Sequence, residues 1–562
     1  MIQRPKFCLA LILVLAAGLR FYGLDWDGGI GAHPDERYIV GVAESLRWPD
    51  HLNPFDVAPD FAYGHLPLYL LALTAGLAHG VDPLLVGRAL AALFDLGTVA
   101  LTCALGQRVY GARVGLLAAA FVALMVSHVQ QAHFYIADVP LAFFALGTLL
   151  FAVRLAGRGR PLDAWLAGAW AGLALGTKFN ALLVLPLVAA LMVNPASALP
   201  GRCRTRWRRG LGCVIAALVT FALTNPYALL AFPTFWRNVA EQAAIARGVL
   251  DVPYTRQFHA TWPYLYPIVQ QLHWGMGWLL GLVAFSGLAW AVWRAVREPP
   301  RRAEWVLLVW TVPSFAFIGA LHAKFPRYLL PLTPLLALYA ARLLSDLAHR
   351  LRAVARSSAP LLLRSSAPLL ICTSAPVLLC SLLHCLAFIN LYRSPHPWLA
   401  ASEWFYGHVP QGAVVAVEQW DHPLPLNVTA IYDYDVRELP VFDEDTPAKW
   451  TAMEQTLAKA DYVVIASRRG YAALARWPER YPLTARYYRR LFDGALGFEP
   501  VACFGRWPRL GPLALADDPA AGLGFSLPDF CQPRAPLVLH LGHLDESFVV
   551  YDHPQTIILR RK

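Results

Sequence analysis

The sequence predicts a polytopic α-helical membrane protein with a small extramembrane α/β domain at its C-terminal end, on three observations. First, hydrophobic residues make up 57% of the 562 residues and charged residues only 15%, against roughly 25% charged in an average globular chain. A soluble fold has too little interior to hide that much apolar surface. Second, apolar runs near the ~20 residues that a spanning helix needs recur along the chain and then stop. Third, the basic residues cluster in short connections between those runs. The 19 Trp, 22 Tyr and 28 Phe supply rings suited to lipid–water boundaries. The same composition excludes disorder, collagen and a disulfide-rich scaffold. Lys+Arg 48 against Asp+Glu 37 leaves a net charge of +11, but its placement in loops is a topology signal, and no nucleic-acid partner is expected.

The first run, 7–24, follows Arg4 and Lys6. No small-residue cleavage site follows it and more runs do, so it reads as an uncleaved anchor. Runs at 85–108, 112–128, 139–154, 164–176, 179–193, 211–226, 274–296, 305–322, 328–344 and 369–392 bring the expected spans to about eleven. With the N-terminus cytoplasmic, the dense basic clusters fall on one side. They are Arg108 with Arg113; Arg154, Arg158 and Arg160; Arg202, Arg204, Arg206, Arg208 and Arg209; Arg294, Arg297, Arg301 and Arg302; and Arg350, Arg352, Arg356 and Arg364. Such an excess marks the cytoplasmic side. The frame therefore predicts an integral protein of the plasma membrane, with residues 1–392 as a membrane module and 393–562 as an extracytoplasmic domain.

Two long connections, 25–84 and 227–273, face outward in this frame and are rich in Trp, Tyr, Pro and His. Loops of this length usually have a function, and helices lying along the membrane surface over a cavity are expected there. Past a linker near Ser394-Pro-His-Pro the pattern changes. Residues 413–418 and 461–467 read as short strands, 483–492 as a helix, and 548–551 with 556–559 as a closing strand pair. Cys503 and Cys531 lie in this part and could pair in an oxidising compartment. The tandem Arg356-Ser-Ser-Ala-Pro and Arg364-Ser-Ser-Ala-Pro is assigned no role, and the sequon Asn427-Val-Thr429 is read as incidental. Trp420-Asp421-His422-Pro423 and Asp552-His553-Pro554 read as turns closed by Asp and Pro.

The residues able to carry chemistry lie mostly on the outer side. His33-Pro34-Asp35-Glu36-Arg37-Tyr38 opens the first long loop. Acidic groups beside a membrane face are functional candidates, although Pro, Asp and Glu also suit a helix start. Tyr63-Gly64-His65-Leu66-Pro67-Leu68-Tyr69 leads into an apolar helix. Asp138, before Val139-Pro140, is either a helix cap or a second acid. Gly176-Thr177-Lys178-Phe179-Asn180 and His322-Ala-Lys324-Phe-Pro-Arg327-Tyr328 place cations outside, against the inside bias. Lys324 and Arg327 would share a face if helical, and either could simply snorkel.

Taken in order, the Asp-Glu pair, the Pro-Leu-Tyr helix, the Asp-x-Pro, the Gly-Thr-Lys-Phe-Asn turn and Phe325-Pro-Arg-Tyr-Leu-Leu-Pro331 resemble the GT-C superfamily of membrane glycosyltransferases, in its protein O-mannosyltransferase and aminoarabinose-transferase branch. The resemblance covers about 7–344. Leu496-Gly-Phe-Glu and Tyr551-Asp-His-Pro are similar to segments of bacterial members that carry an extra outer domain. The resemblance implies inverting sugar transfer from a polyprenyl-phosphate carrier to a glycan, lipid or protein hydroxyl. In that reading Asp35 is the base, Glu36 supports it, and Asp138 is the second acid. His33, His65, Lys178, Lys324, Arg327 and Tyr328 bind substrate. No metal is expected to be required, and a divalent cation is left open. A transporter or lipid flippase is the alternative, and it would show two similar halves with matching broken helices.

Overall fold

The structure is a computed structural model describing residues 3–179, 181–193, 203–355, 366–427 and 433–562. Asn180, Arg202, Arg356, Arg364 and the Val428-Thr429 part of the sequon lie outside the described residues. The chain divides into two compact units. The first comprises Met1–Leu24, Pro34–Ala246 and Pro263–Cys385; the second comprises Asp25–His33, Arg247–Trp262 and Leu386–Lys562. Short pieces of both long connections, Asp25–His33 and Arg247–Trp262, go with the second unit.

The first unit is helical. Proline opens the helices Pro34–Ser45, Pro83–Tyr110 and Pro161–Thr177, where its missing N–H costs no helical hydrogen bond. Asp82 caps the second of these by accepting from the Leu84 amide at 2.9 Å. Among the described residues, Pro83–Tyr110, Asp138–Arg158, Thr205–Thr224, Trp278–Arg297, Arg302–Ala320 and Cys372–His408 are long and apolar enough to cross a membrane, with shorter apolar helices at Leu66–Leu77, Ala112–Leu124 and Val184–Val193. The helices Gln3–Phe21 and Thr333–Ala355 carry more charge, and Pro161–Thr177 has 17 residues. Both long connections contain helices: Pro34–Ser45, Pro54–Val57 and Leu66–Leu77 in one, Phe232–Arg247 and Leu265–Gln270 in the other.

One expected run is broken. Ala112–Leu124 ends at the extended residue Met125, and the chain restarts as Val126–Gln131. The Arg20 guanidinium fills the gap, donating to the Val122 carbonyl at 3.2 Å and the Ala123 carbonyl at 3.0 Å, which satisfies carbonyls orphaned at the helix end. Arg20 also pairs with Asp95 at 2.5 Å, and Asp95 lies 2.5 Å from His128. The other ring nitrogen of His128 is 2.8 Å from the Thr333 hydroxyl. Buried charges persist in apolar surroundings when they are paired in this way.

The second unit is α/β. Strands β1 (Val414–Glu418), β2 (Asp435–Leu439), β3 (Tyr462–Ile465), β4 (Phe498–Phe504) and β8 (Thr556–Arg561) form one sheet in the order β2-β1-β3-β8-β4. The pairs β1/β2 and β1/β3 are parallel; β3/β8 and β8/β4 are antiparallel. A smaller sheet holds β5 (Arg509–Leu510), β6 (Leu513–Ala516) and β7 (Leu537–His540). The helix Pro482–Phe492 matches its expectation. The closing strand pair does not: Glu546–Val549 is a helical turn, because Asp545 caps it through the Ser547 amide at 2.9 Å and hydroxyl at 2.6 Å. Only β8 is a strand. Cys503 and Cys531 form a disulfide across 28 residues.

Two stability predictions follow from the second unit. Closing a loop of this size stabilises a fold by about 3–4 kcal/mol, so Cys503→Ser with Cys531→Ser should lower the denaturant midpoint of the second unit's transition in the full chain. Glu418 ends β1 at 3% exposed. Burial holds its carboxyl neutral, pushed up from 4.5 to about 8, against the phenols of Tyr488 and Tyr487. The folded state then binds more protons than the unfolded state between those values, so its stability contribution is fullest below 4.5 and is lost as pH rises through 8. Glu418→Gln should flatten that decline, stabilising the unit at pH 8 by on the order of a few kcal/mol, as read by thermal melts across pH.

Candidate active site

Four charged side chains from distant parts of the first unit meet in alternation. Asp35 stands in the first turn of Pro34–Ser45, and its carboxylate pairs with the Arg327 guanidinium at 2.9 Å. Arg327 also lies 3.9 Å from Asp138, the first residue of Asp138–Arg158. The Lys178 ammonium, just past Pro161–Thr177, donates to both Asp138 oxygens at 2.8 and 3.1 Å. The order is thus carboxylate, cation, carboxylate, cation. Side-chain exposure is 22% for Asp35 and 28% for Lys178, but 4% for Asp138, so the ends of the array are open and its middle is closed.

Local devices hold these groups in place. Glu36, beside Asp35, is fully buried, and Arg88 grips its two oxygens at 3.0 and 2.8 Å. The Tyr135 amide also donates to Glu36 at 2.8 Å. Glu36 therefore clamps the helix bearing Asp35 onto Pro83–Tyr110, a positioning contact. Gly64 sits so close to the Lys178 turn that a Cβ there would lie 2.0 Å from the Gly176 carbonyl oxygen, and its amide donates to the Thr177 carbonyl at 3.0 Å. The adjacent His65 amide donates to Asn225 at 2.6 Å. Glycine alone permits this approach of the first long connection to the turn.

The remaining expected residues divide. Tyr328 joins the array: the Lys178 ammonium lies 5.0 Å from its ring centre, a cation–π distance. His65 is buried among Phe55, Phe61 and Tyr69, with ring centres 5.2, 6.3 and 6.1 Å away. Lys324 donates to the His322 carbonyl at 3.0 Å, and burial lowers its pKa. The shared helical face expected of Lys324 and Arg327 is not formed. Phe325 is extended before Pro326 (φ −52°, ψ 131°), and a 3₁₀ turn begins only at Pro326–Leu329, as the residue before a proline resists the helical region. His33 belongs to the second unit, its ring 4.1 Å from that of Tyr551. Asp552 in the tail accepts from the Tyr392 hydroxyl at 2.9 Å and lies 2.5 Å from His553.

Two neighbours of the array, Tyr63 and Arg88, were given no role from sequence. Burial and then Asp35, with further push from Asp138 and against Arg327, raise the Tyr63 phenol well above its ordinary range. Tyr63 therefore stands protonated beside the array, a hydrogen-bond donor. Arg88 is the other; a lone arginine inside an apolar run was the available signal. Among the described residues no group of three His, Cys, Asp or Glu side chains stands placed to hold a metal ion.

Residues 64–227 match a family model described as dolichyl-phosphate-mannose-protein mannosyltransferase. That interval holds His65, Asp138 and Lys178 but stops short of Asp35 and Arg327. A search of the curated proteins finds no match. Among solved structures, the oligosaccharyltransferase AglB from Archaeoglobus fulgidus, in complex with an inhibitory peptide and a dolichol-phosphate, is 14% identical over 86% of this chain and 72% of its own, with a TM-score of 0.51. The apo form of the Archaeoglobus fulgidus enzyme gives 0.53 at the same identity and coverage. ArnT from Cupriavidus metallidurans bound to undecaprenyl phosphate is 17% identical over 83% of this chain and 94% of its own, with a TM-score of 0.48. The transporter and flippase alternative finds no support in these matches. Residues 64–227 thus resemble a mannosyltransferase family, and the chain shares its fold with an archaeal oligosaccharyltransferase.

Proposed function

We propose that the protein transfers a sugar, with inversion at the anomeric carbon, from a polyprenyl-phosphate donor to an acceptor hydroxyl at the outer face of the membrane. The observation that carries this reading is the alternation Asp35–Arg327–Asp138–Lys178. A hydroxyl is a weak nucleophile at neutral pH, so its proton must go to a base as the oxygen bonds to the anomeric carbon. Asp35, at an open end of the array, takes that proton. The bond from the anomeric carbon to the phosphate oxygen breaks, and the phosphate leaves with the electron pair. Arg327 and Lys178 face that growing negative charge, the arrangement most effective in a water-poor site.

The charge balance gives the site an order of events. Two carboxylates and two cations leave it near neutral before substrate arrives. A donor phosphate competes for Arg327, and drawing the guanidinium away from Asp35 frees the base when the donor is in place. Asp138 keeps Lys178 oriented throughout, and Tyr63 offers a donor to sugar or phosphate. His65 and Tyr328 shape the wall, and Lys324 adds positive charge nearby in the chain. The dolichol-phosphate bound to AglB supports a lipid-phosphate donor. The basic clusters support a cytoplasmic N-terminus, and the Cys503–Cys531 disulfide supports an extracytoplasmic second unit in an oxidising compartment.

The test supplies membranes with radiolabelled polyprenyl-phosphate sugars. Asp35→Asn should lower transfer by about 10²–10⁴-fold, and equal transfer by native and variant protein would remove the mechanism. Lys178→Ala should cost about 10²-fold or more in turnover; an effect on donor KM alone would reassign it to ground-state binding. Gly64→Ala should abolish transfer while the protein remains membrane-inserted, because the loop can no longer reach the Lys178 turn. Undiminished transfer would show that this approach is dispensable.

A further inference from the structure

The smaller sheet of the second unit ends on an open strand. Its order is β5-β6-β7, and among the described residues β7 pairs with β6 alone. An edge strand presents a row of unmet backbone groups, and folds usually blunt it. The other edges of this unit are blunted. β2 carries Asp435, Arg437 and Glu438; β4 contains Pro500 and a register shift between Pro500 and Ala502; β5 has two residues. By contrast β7, Leu537-Val538-Leu539-His540, has no Asp, Glu, Lys or Arg. Its Leu537 and Leu539 are 54% and 45% exposed.

The ladder to β6 fixes which groups are open. The Leu537 amide donates to the Pro512 carbonyl at 3.1 Å, and the Leu541 amide to the Ala516 carbonyl at 2.9 Å. Successive residues of a strand turn their backbone groups to opposite sides, so the N–H and C=O of Val538 and His540 face the free edge. Side chains alternate as well. Leu537, Leu539 and Leu541 share one face of the strand, and Val538 and His540 the other.

These two patterns select the occupant. Lipid would cover the leucines but leave the Val538 and His540 backbone groups unmet, which hydrocarbon does not tolerate. A strand satisfies both, and this segment is complementary to itself. Laid antiparallel on a copy of itself about Leu539, Val538 faces the partner's His540 and His540 faces the partner's Val538. Each such pair exchanges two N–H···O bonds, so every open group between 538 and 540 is met. In the same register Leu539 faces the partner's Leu539 and Leu537 faces the partner's Leu541, with no like charges opposed. A slip by one residue would turn the leucines to the wrong face. A slip by two toward the N-terminus would set Pro536, which has no N–H, against His540. We propose that β7 is a docking edge for a second copy of this chain, through antiparallel β7–β7 pairing centred on Leu539. Five residues a side bury less than the ~800 Å² per partner of a standard interface, so the pairing is reversible and favoured by crowding of copies in one membrane.

The experiment uses the full chain in its native membranes and in liposomes. On mild oxidation Leu539→Cys should form an intermolecular disulfide, because the facing α-carbons of such a pair lie about 4.5 Å apart. Mass spectrometry of the linked peptide separates it from links through the exposed Cys8, Cys372 and Cys380. Val538→Cys, whose copies would each face His540, should link roughly tenfold less. Energy transfer between labelled copies in liposomes should rise with surface density, and Leu539→Lys, which sets like charges face to face, should shift that rise to about tenfold higher density or more. The exposed Leu539 can be replaced without opening the core, and unchanged thermal melts confirm that the unit stays folded. No link at 539, links at 538 as strong as at 539, or energy transfer indifferent to Leu539→Lys would each overturn the proposal. So would a polarity-sensitive fluorophore on Leu539→Cys that reports an apolar setting in nanodiscs holding one copy, which would assign these leucines to lipid.

Discussion

The first unit depends on neutralising charge where water is scarce. Asp35, Arg327, Asp138 and Lys178 come from four separate segments, and each would be costly alone in a chain this apolar. Placed in alternation at 2.8–3.9 Å, each cation lies against a carboxylate. Arg327 is the pivot, since it reaches both acids. In the reaction we propose, the same pairing that makes the charges tolerable also sets up the chemistry, because a site balanced near neutrality responds to one added negative charge by rearranging its pairs.

Pairing recurs deeper in the helices in a structural role. Arg20, Asp95 and His128 join Gln3–Phe21, Pro83–Tyr110 and the short helix Val126–Gln131, and Thr333 extends the contact to the start of Thr333–Ala355. Arg327 stands just upstream of that start. Glu36 and Arg88 do the equivalent for the helix that bears Asp35. Breaking either pair would strand a buried charge, a far larger penalty than losing an exposed ion pair. These contacts make the position of Asp35 a property of the packed bundle rather than of flexible loops.

The second unit follows the same logic in a sheet. Arg468 pairs with Asp517, Arg469 with Glu546 and Lys449 with Asp445, which leaves Glu418 as a buried acid held neutral by its surroundings. Its main sheet is mixed, with β2, β1 and β3 parallel and β8 antiparallel to both β3 and β4.

Much of this was legible in the chain before folding. Apolar run length and the basic loops announced a membrane protein, because a span's length is set by bilayer thickness and its orientation by local charge. Strands at 413–418 and 461–467 and the helix at 483–492 could be read from short-range pattern alone. Motif order pointed to Asp35, Asp138, Lys178 and Arg327. What the chain could not disclose was which side chains would meet. His33 and Asp35 are neighbours in sequence yet belong to different units; Lys324 and Arg327 lose their shared face to Pro326; Glu546–Val549 turns as a helix because Asp545 caps it, so 548–551 is no strand. Periodicity and composition act over a few residues, so they specify elements. Which charges neutralise one another is decided only when distant elements pack, since Coulomb attraction and desolvation depend on separation in space and not along the backbone.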